Sequence, residues 1–167
     1  MFLELMKERY SVRSFKTQPI DEEKLAHVLE AGRIAPTACN NQPQRIMVIT
    51  GPSELANVDK CTPCRFNAPA VLLVCYDKTE CWKRSFDGAI SGQVDASIVT
   101  THMMLAAQEE GLGSCWVMYF DPAKTVKLFD LPENIVPVAM MPIGYPAEDA
   151  APADLHYQRT TLEEILL

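Results

Sequence analysis

The sequence predicts an α+β domain built on a mixed sheet. Three observations carry this expectation. Segments with helical periodicity and segments of extended, apolar character are interspersed along the chain, without strict β-α-β order. The 167 residues suit one domain, 1–167, and leave no room for two comfortable ones. The composition, 48% hydrophobic and 22% charged, supplies enough apolar surface for a core.

The elements follow in order. Phe2 to Glu8 reads as a first helix, with Leu3 and Met6 along one side. Ser11 to Phe15 alternates polar and apolar and reads as extended. Asp21 is a good N-cap for a second helix, with Glu22 and Glu23 in its first turn, where the helix dipole favours acids. Leu25, Val28 and Leu29 form its apolar stripe, and Pro36 lies past its end. Arg45 to Thr50 reads as a buried strand closed by Gly51-Pro52, after which Ser53 can cap a short helix to about Asp59. Pro69 to Tyr76 reads as another strand. Gln93 to Glu110 is the longest helix and carries two apolar faces. One is Val94, Ile98, Thr101 and Leu105; the other is Ala96, Val99, Met103 and Ala106. A helix apolar on two faces is buried on both, either by its own chain or by its own chain and a second copy. Gly111 ends it. Ser114 to Phe120 reads as extended, Asp121-Pro122 opens a short helix through Phe129, and Pro137 to Tyr145 is a further buried strand. Ala150 to Ala153 reads as a linker. Thr161, with Glu164 three residues on, matches a capping box.

Charge and targeting narrow the function classes. A net charge of −7 repels phosphate backbones and anionic lipids, which argues against nucleic acid and membrane surfaces as partners. A bound phosphate would need a local group of basic residues. Charges interrupt Met1 to Glu8 at once, unlike a signal peptide. The longest apolar run, Ala68 to Tyr76, is well short of the roughly 20 residues that span a bilayer. The expected compartment is the cytoplasm, and the expected state of the six cysteines is reduced. Cys61-Thr62-Pro63-Cys64 is a lone CxxC before a strand, without a second pair or spaced histidines. Two plain thiols are a better reading there than zinc or a disulfide.

Four places can carry chemistry. Arg9, Ser11 and Arg13 share a face if their segment is extended. Two guanidiniums and a hydroxyl suit a phosphate monoester; the plainer alternative is a solvated edge paired with Glu4 and Glu8. Pro36 to Gln44 offers amides and a hydroxyl between two prolines, able to read the edge of a heterocycle or simply to close a turn. Gly111-Leu112-Gly113 lets backbone approach something closely, although a helix stop requires only the first glycine. This GxG follows a helix and lacks the third glycine, so it is no dinucleotide fingerprint. Arg159 is either a further phosphate partner or an ordinary surface arginine.

In their order along the chain these pieces resemble the nitroreductase family of FMN flavoproteins, in particular its short members. The resemblance rests on five motifs and spans nearly the whole chain. They are Arg9-Tyr10-Ser11-Val12-Arg13; Pro36-Thr37-Ala38-Cys39-Asn40-Asn41-Gln42-Pro43; Gly111 to Trp116 at the end of the long helix; Gly144-Tyr145-Pro146; and Arg159 before Leu162-Glu163-Glu164. It implies a mainly antiparallel sheet flanked by helices, in an intertwined homodimer with FMN at each of two seams. Arg9, Tyr10, Ser11, Arg13 and Arg159 would serve the phosphate and ribityl end. Pro36, Thr37, Ala38, Asn40 and Gln42 would reach the flavin from the other subunit. Trp116, Val117 and Met118 would lie near flavin N5, and Pro142, Ile143 and Gly144 would line the cofactor from the strand side. NADH or NADPH would reduce the flavin, and a small acceptor such as a nitroaromatic or quinone would then be reduced in the same pocket by ping-pong exchange. No catalytic side chain and no metal are implied. Many relatives have a glycine where this chain has Met118-Tyr119. The segment Thr79 to Gly92, with Trp82 and Phe86, is the only cover the chain offers for the pocket; packing of those two rings onto their own domain is the plainer expectation. Two other classes compete: a protein that holds FMN without nicotinamide-linked turnover, and a colourless redox or zinc module using Cys61 and Cys64.

Overall fold

A computed structural model describes residues 1–167. Its sheet has four strands: β1 (Gln44–Ile49), β2 (Ala70–Asp77), β3 (Gly113–Ser114) and β4 (Ile135–Gly144). They lie in the order β1-β2-β4-β3, and every neighbouring pair is antiparallel. The parallel component comes from a single bridge, Ser11 to Ser114. The helices are α1 (Phe2–Glu8), α2 (Glu22–Arg33), α3 (Pro52–Cys61), α4 (Gly92–Glu109) and α5 (Pro122–Leu128). No helix is long and apolar enough to cross a membrane.

Central β2 explains the layering. Its residues alternate faces. Ala70, Leu72 and Val74 face a core with Val28 of α2 and Ala96, Val99 and Met103 of α4. Val71, Leu73 and Cys75 face a second core with Val58, Cys61 and Met140, where α3 meets α5. Helices therefore cover both faces of the sheet. Burying Leu72 and Leu73 completely contributes about 1.5–3 kcal/mol each.

Several elements differ from expectation for identifiable reasons. β1 is an edge strand: it pairs only with β2, and Val48 is exposed. Pro52, not Ser53, opens α3, because its fixed φ suits the first helical position and its missing N–H has no partner to lose. Asp21 is the N-cap residue of α2, as expected, but its side chain makes no capping bond; its carboxylate instead accepts a hydrogen bond from the Tyr145 hydroxyl at 2.7 Å. The extended stretch after Gly113 rejoins β4 at Val117 and then turns, the Phe120 N–H donating to the Met118 carbonyl at 3.0 Å. Cys61 ends α3, so the CxxC leaves a helix some way before the strand. The capping box is present in both directions. The Thr161 N–H donates to Glu164 Oε2 at 2.8 Å, and the Glu164 N–H to Thr161 Oγ1 at 3.4 Å.

Candidate functional site

The segment after α1 is stitched to the sheet edge. Ser11 bridges Ser114, the Val12 N–H donates to the Ser114 carbonyl at 3.0 Å, and Phe15 bridges Pro146. Val12 is buried against Gly113, where an added Cβ would come within 2.6 Å of it. The second glycine of the GxG is thus required by close packing, beyond any helix stop. With Val12 turned inward, Arg9, Ser11 and Arg13 turn to the other side.

They line one cavity of about 380 Å³, together with Tyr10, His156 and Arg159. No carboxylate lines it. Arg9, Arg13 and Arg159 form no ion pair, and Glu4 pairs with Lys7 at 3.1 Å. The pairing with Glu4 and Glu8 that the solvated-edge alternative called for is therefore absent, although Arg13 and Arg159 are themselves exposed. Burial, and then the Arg159 cation, hold the Arg9 guanidinium below its ordinary range. Burial pushes the Cys115 thiol up, against the opposing pull of Arg13 and the Ser11 side chain. Unpaired cations facing one another are costly, and a dianion among them would offset that cost.

A second cavity of about 400 Å³ shares Arg9 and Arg159 and is otherwise lined by Met6, Thr101, Met104, Leu105 and Trp116. The indole Nε1 of Trp116 is buried without a hydrogen-bond partner, which is rare and marks a group awaiting one. The cavity borders an uncovered stripe of α4. Val94 is 62% exposed, Thr101 is exposed, and Ile98 and Leu105 are half-buried. The apolar residues Phe2 and Leu3 of α1 and Leu162, Ile165 and Leu166 of the tail are also more than half exposed. Apolar side chains are thus left uncovered on α4, on α1 and in the tail.

The amide loop is ordered from within by a residue the sequence reading passed over. Asp95, buried in the first turn of α4, accepts the Ala38 N–H at Oδ1 (2.9 Å) and the Ser91 hydroxyl at Oδ2 (2.6 Å). Thr37 Oγ1 accepts the Gln42 N–H at 3.0 Å. Cys39, Asn40 and Gln42 adopt left-handed φ, and the loop presents exposed Pro36, Asn40 and Gln42 beside half-buried Thr37 and Ala38. Within one chain this loop does not meet the arginines. Asp95 lies at one end of α4 and Met104, at the second cavity, lies nine residues on, about 14 Å along the axis.

The remaining candidates sit differently. Val117 is buried, and its N–H and carbonyl are both committed to Met140, at 2.9 and 3.0 Å. Met118 and Tyr119 are 61% and 76% exposed, on a turn pinned where the buried Thr62 hydroxyl donates to the Tyr119 carbonyl at 2.6 Å. Pro142, Ile143 and Gly144 lie inside the sheet and line neither basic cavity; the Pro142 carbonyl accepts the Cys115 N–H at 3.1 Å. Residues 82–91 form a small hairpin, closed by the Lys83–Ile90 bridge and the Arg84–Asp87 ion pair. Phe86 at its tip is 94% exposed, so it does not pack on its own chain as expected. All six cysteines are free, and no group of three or more His, Cys, Asp or Glu side chains could hold a metal ion. Burial pushes the Cys75 thiol up to about 12.

An α+β scaffold with a carboxylate-free arginine cradle beside an uncovered central helix describes a class: proteins equipped to seat an anionic ligand. The comparisons make it specific. The model of the Nitroreductase family matches residues 6–64 and 60–145, and the chain belongs to that family. A relative from Methanothermobacter thermautotrophicus, whose name pairs NADH dehydrogenase with NAD(P)H nitroreductase, is 29% identical over 92% of this chain and 81% of its own. The structure of a nitroreductase family protein from Clostridium difficile 630 superposes with a TM-score of 0.94 at 41% identity, over 100% of this chain and 97% of that one. A family structure from Desulfovibrio desulfuricans, solved in complex with FMN, gives a TM-score of 0.81 at 25% identity, over 99% of this chain and 95% of that one.

Proposed function

We propose that this chain is one protomer of a homodimeric, FMN-dependent oxidoreductase that takes reducing equivalents from NADH or NADPH and delivers them to small acceptors such as nitroaromatics or quinones. One observation carries the reading: three guanidiniums, Arg9, Arg13 and Arg159, share a cavity wall with Ser11 and no carboxylate. That donor set fits a phosphate monoester; Arg159 also donates from Nη1 to the Leu155 and Gln158 carbonyls, at 3.2 and 2.8 Å, and its other nitrogens are free for a ligand.

The dimer supplies the rest of the site. Two copies of α4 laid antiparallel along their uncovered stripes would bring the first turn of one beside the last turns of the other. The partner's amide loop, fixed to its own Asp95, would then face this chain's arginine wall across the seam. Asn40 and Gln42 would donate to a flavin edge, with Pro36, Thr37 and Ala38 forming the wall around them. Arg9, Arg13, Arg159 and Ser11 would clamp the phosphate, with Tyr10 closing the same cavity. The unpaired Trp116 N–H would find an acceptor at the seam, and Met118 would stand at the rim of the pocket. Val117, Pro142, Ile143 and Gly144 act at one remove, holding the β3 edge on which Ser11 is seated.

When bound, FMN supplies hydride transfer at N5, between a nicotinamide and an acceptor that occupy one pocket in turn. The protein's own work is to fix the phosphate, to present preorganised donors to the electron-rich ring edge, and to keep bulk water from the seam. Met118 and Tyr119, fixed by Thr62, limit which acceptors enter. The test is the visible spectrum of the purified protein, recorded anaerobically before and after NADH or NADPH. A yellow protein that bleaches is expected. A protein that stays yellow is an FMN carrier, and a colourless one that binds no added FMN sinks the reading.

A further inference from the structure

The arginine cavity contains one more side chain able to reach an anion. His156 lines it with Arg9, Tyr10, Ser11, Arg13 and Arg159, although 143 positions separate it from Arg13. It sits in the short 3-10 turn Asp154–Tyr157. Its ring is wedged edge-on between two tyrosines, with centroids 6.3 Å from Tyr10 and 4.9 Å from Tyr157. The Tyr10 hydroxyl in turn donates to the Ala150 carbonyl at 3.3 Å, tying the chain just before this turn to the arginine segment. An imidazole held so firmly beside three unpaired guanidiniums has no partner of its own among the ion pairs of the chain. In the sequence His156 is one of three histidines, none at metal-ligand spacing from another.

We propose that His156 is a pH-gated ligand of the cofactor's phosphate, whose own contribution to the cavity's preference for FMN over riboflavin grows as the pH falls. The proposal rests on the FMN reading of this cavity and adds a residue to it. The physical argument is linkage. Without an anion, the field in the cavity is set by the cations Arg9, Arg13 and Arg159; Asp154 on the same turn and Asp149, bonded to Ser14 at 3.2 Å, are the nearby acids in sequence. A phosphate dianion reverses that field, so binding draws a proton onto the imidazole, which then donates a charge-assisted hydrogen bond. The phosphate's own second proton leaves near pH 6, so the informative quantity is the ratio of wild type to variant at each pH.

The experiment titrates the full-length protein and His156→Gln with FMN and with riboflavin at pH 6 and pH 8.5, in buffer free of phosphate. Glutamine keeps a neutral donor and cannot titrate. The wild type should bind FMN about tenfold more tightly than the variant at pH 6, and to within about twofold at pH 8.5. Riboflavin should bind both proteins alike at both pH values. An FMN ratio that does not change with pH, or an equal loss of riboflavin, overturns the proposal while leaving the FMN reading intact. A wild type that binds neither flavin overturns that reading and this one with it. Should His156→Gln not fold, His156→Asn gives the same comparison. Calorimetry of FMN binding to the wild type at pH 8 in two buffers of different ionisation heat reads proton uptake directly, and zero uptake counts against the proposal.

Discussion

Replacing Arg13 by Ala separates binding from folding. Arg13 is exposed, forms no ion pair, and sits on a segment held by backbone contacts through Ser11 and Val12. Its loss should therefore change folding stability by no more than about 0.5 kcal/mol. In the bound state the same guanidinium would make a charge-assisted bond to the phosphate, a contribution of about 1.5–3 kcal/mol. At about 1.4 kcal/mol per decade, FMN affinity should fall by about tenfold to a hundredfold. Riboflavin, which lacks the phosphate, should bind as before. Flavin fluorescence titration reads both affinities, and urea unfolding of the flavin-free protein checks the fold. The loss should also be steeper at low ionic strength, where the cluster's field is least screened. Arg13→Ala protein that retains wild-type affinity for FMN refutes the phosphate assignment.

Three further changes probe the scaffold. Asp95→Asn removes the carboxylate that accepts from Ala38 and Ser91. It should cost about 1.5–3 kcal/mol in urea unfolding and loosen the amide loop, seen as faster hydrogen exchange at Ala38. Gly113→Ala drives a Cβ to 2.6 Å from Val12 and should destabilise by about 1–3 kcal/mol, with FMN affinity falling too as Ser11 shifts; thermal unfolding that matches wild type would contradict the packing argument. The hydrogen bond to Glu110 at 2.8 Å raises His27 above its ordinary value. A raised folded value means that the stabilisation is full below about pH 6.5 and is lost as pH rises through the folded value. The unfolding midpoint should therefore decline over that window in wild type, and His27→Gln should flatten the decline.

Local pattern made much of the structure legible. Phe2–Glu8 was readable from its stripe, and the two apolar faces of Gln93 to Glu110 already allowed for a partner copy. The capping box at Thr161 and Glu164 and the stop at Gly111 are local chemistry, visible in a few letters. Arg9, Ser11 and Arg13 were readable as a set because extended backbone has a period of two. What escaped depends on contacts between distant positions. Asp95 looked like one polar residue in a helix, since nothing near it in sequence shows that Ala38 would donate to it. His156 lies far along the chain from the arginines it joins. The edge position of β1 follows from strand order, which residue pattern does not encode. Phe86 looked like a ring that would pack at home, and only the closed hairpin around it shows that its own chain offers no surface there.

The central claim is that each flavin site needs the arginine wall of one chain and the amide loop of another. Mixing two defective proteins tests it: one carrying Arg13→Ala and Arg159→Ala, the other Asn40→Ala and Gln42→Ala. After the subunits exchange, a mixed dimer should contain one site with both halves intact, and tight FMN binding should reappear at about one flavin per mixed dimer. If wall and loop instead served the same chain's site, every site in the mixture would stay defective, and no tight binding would return.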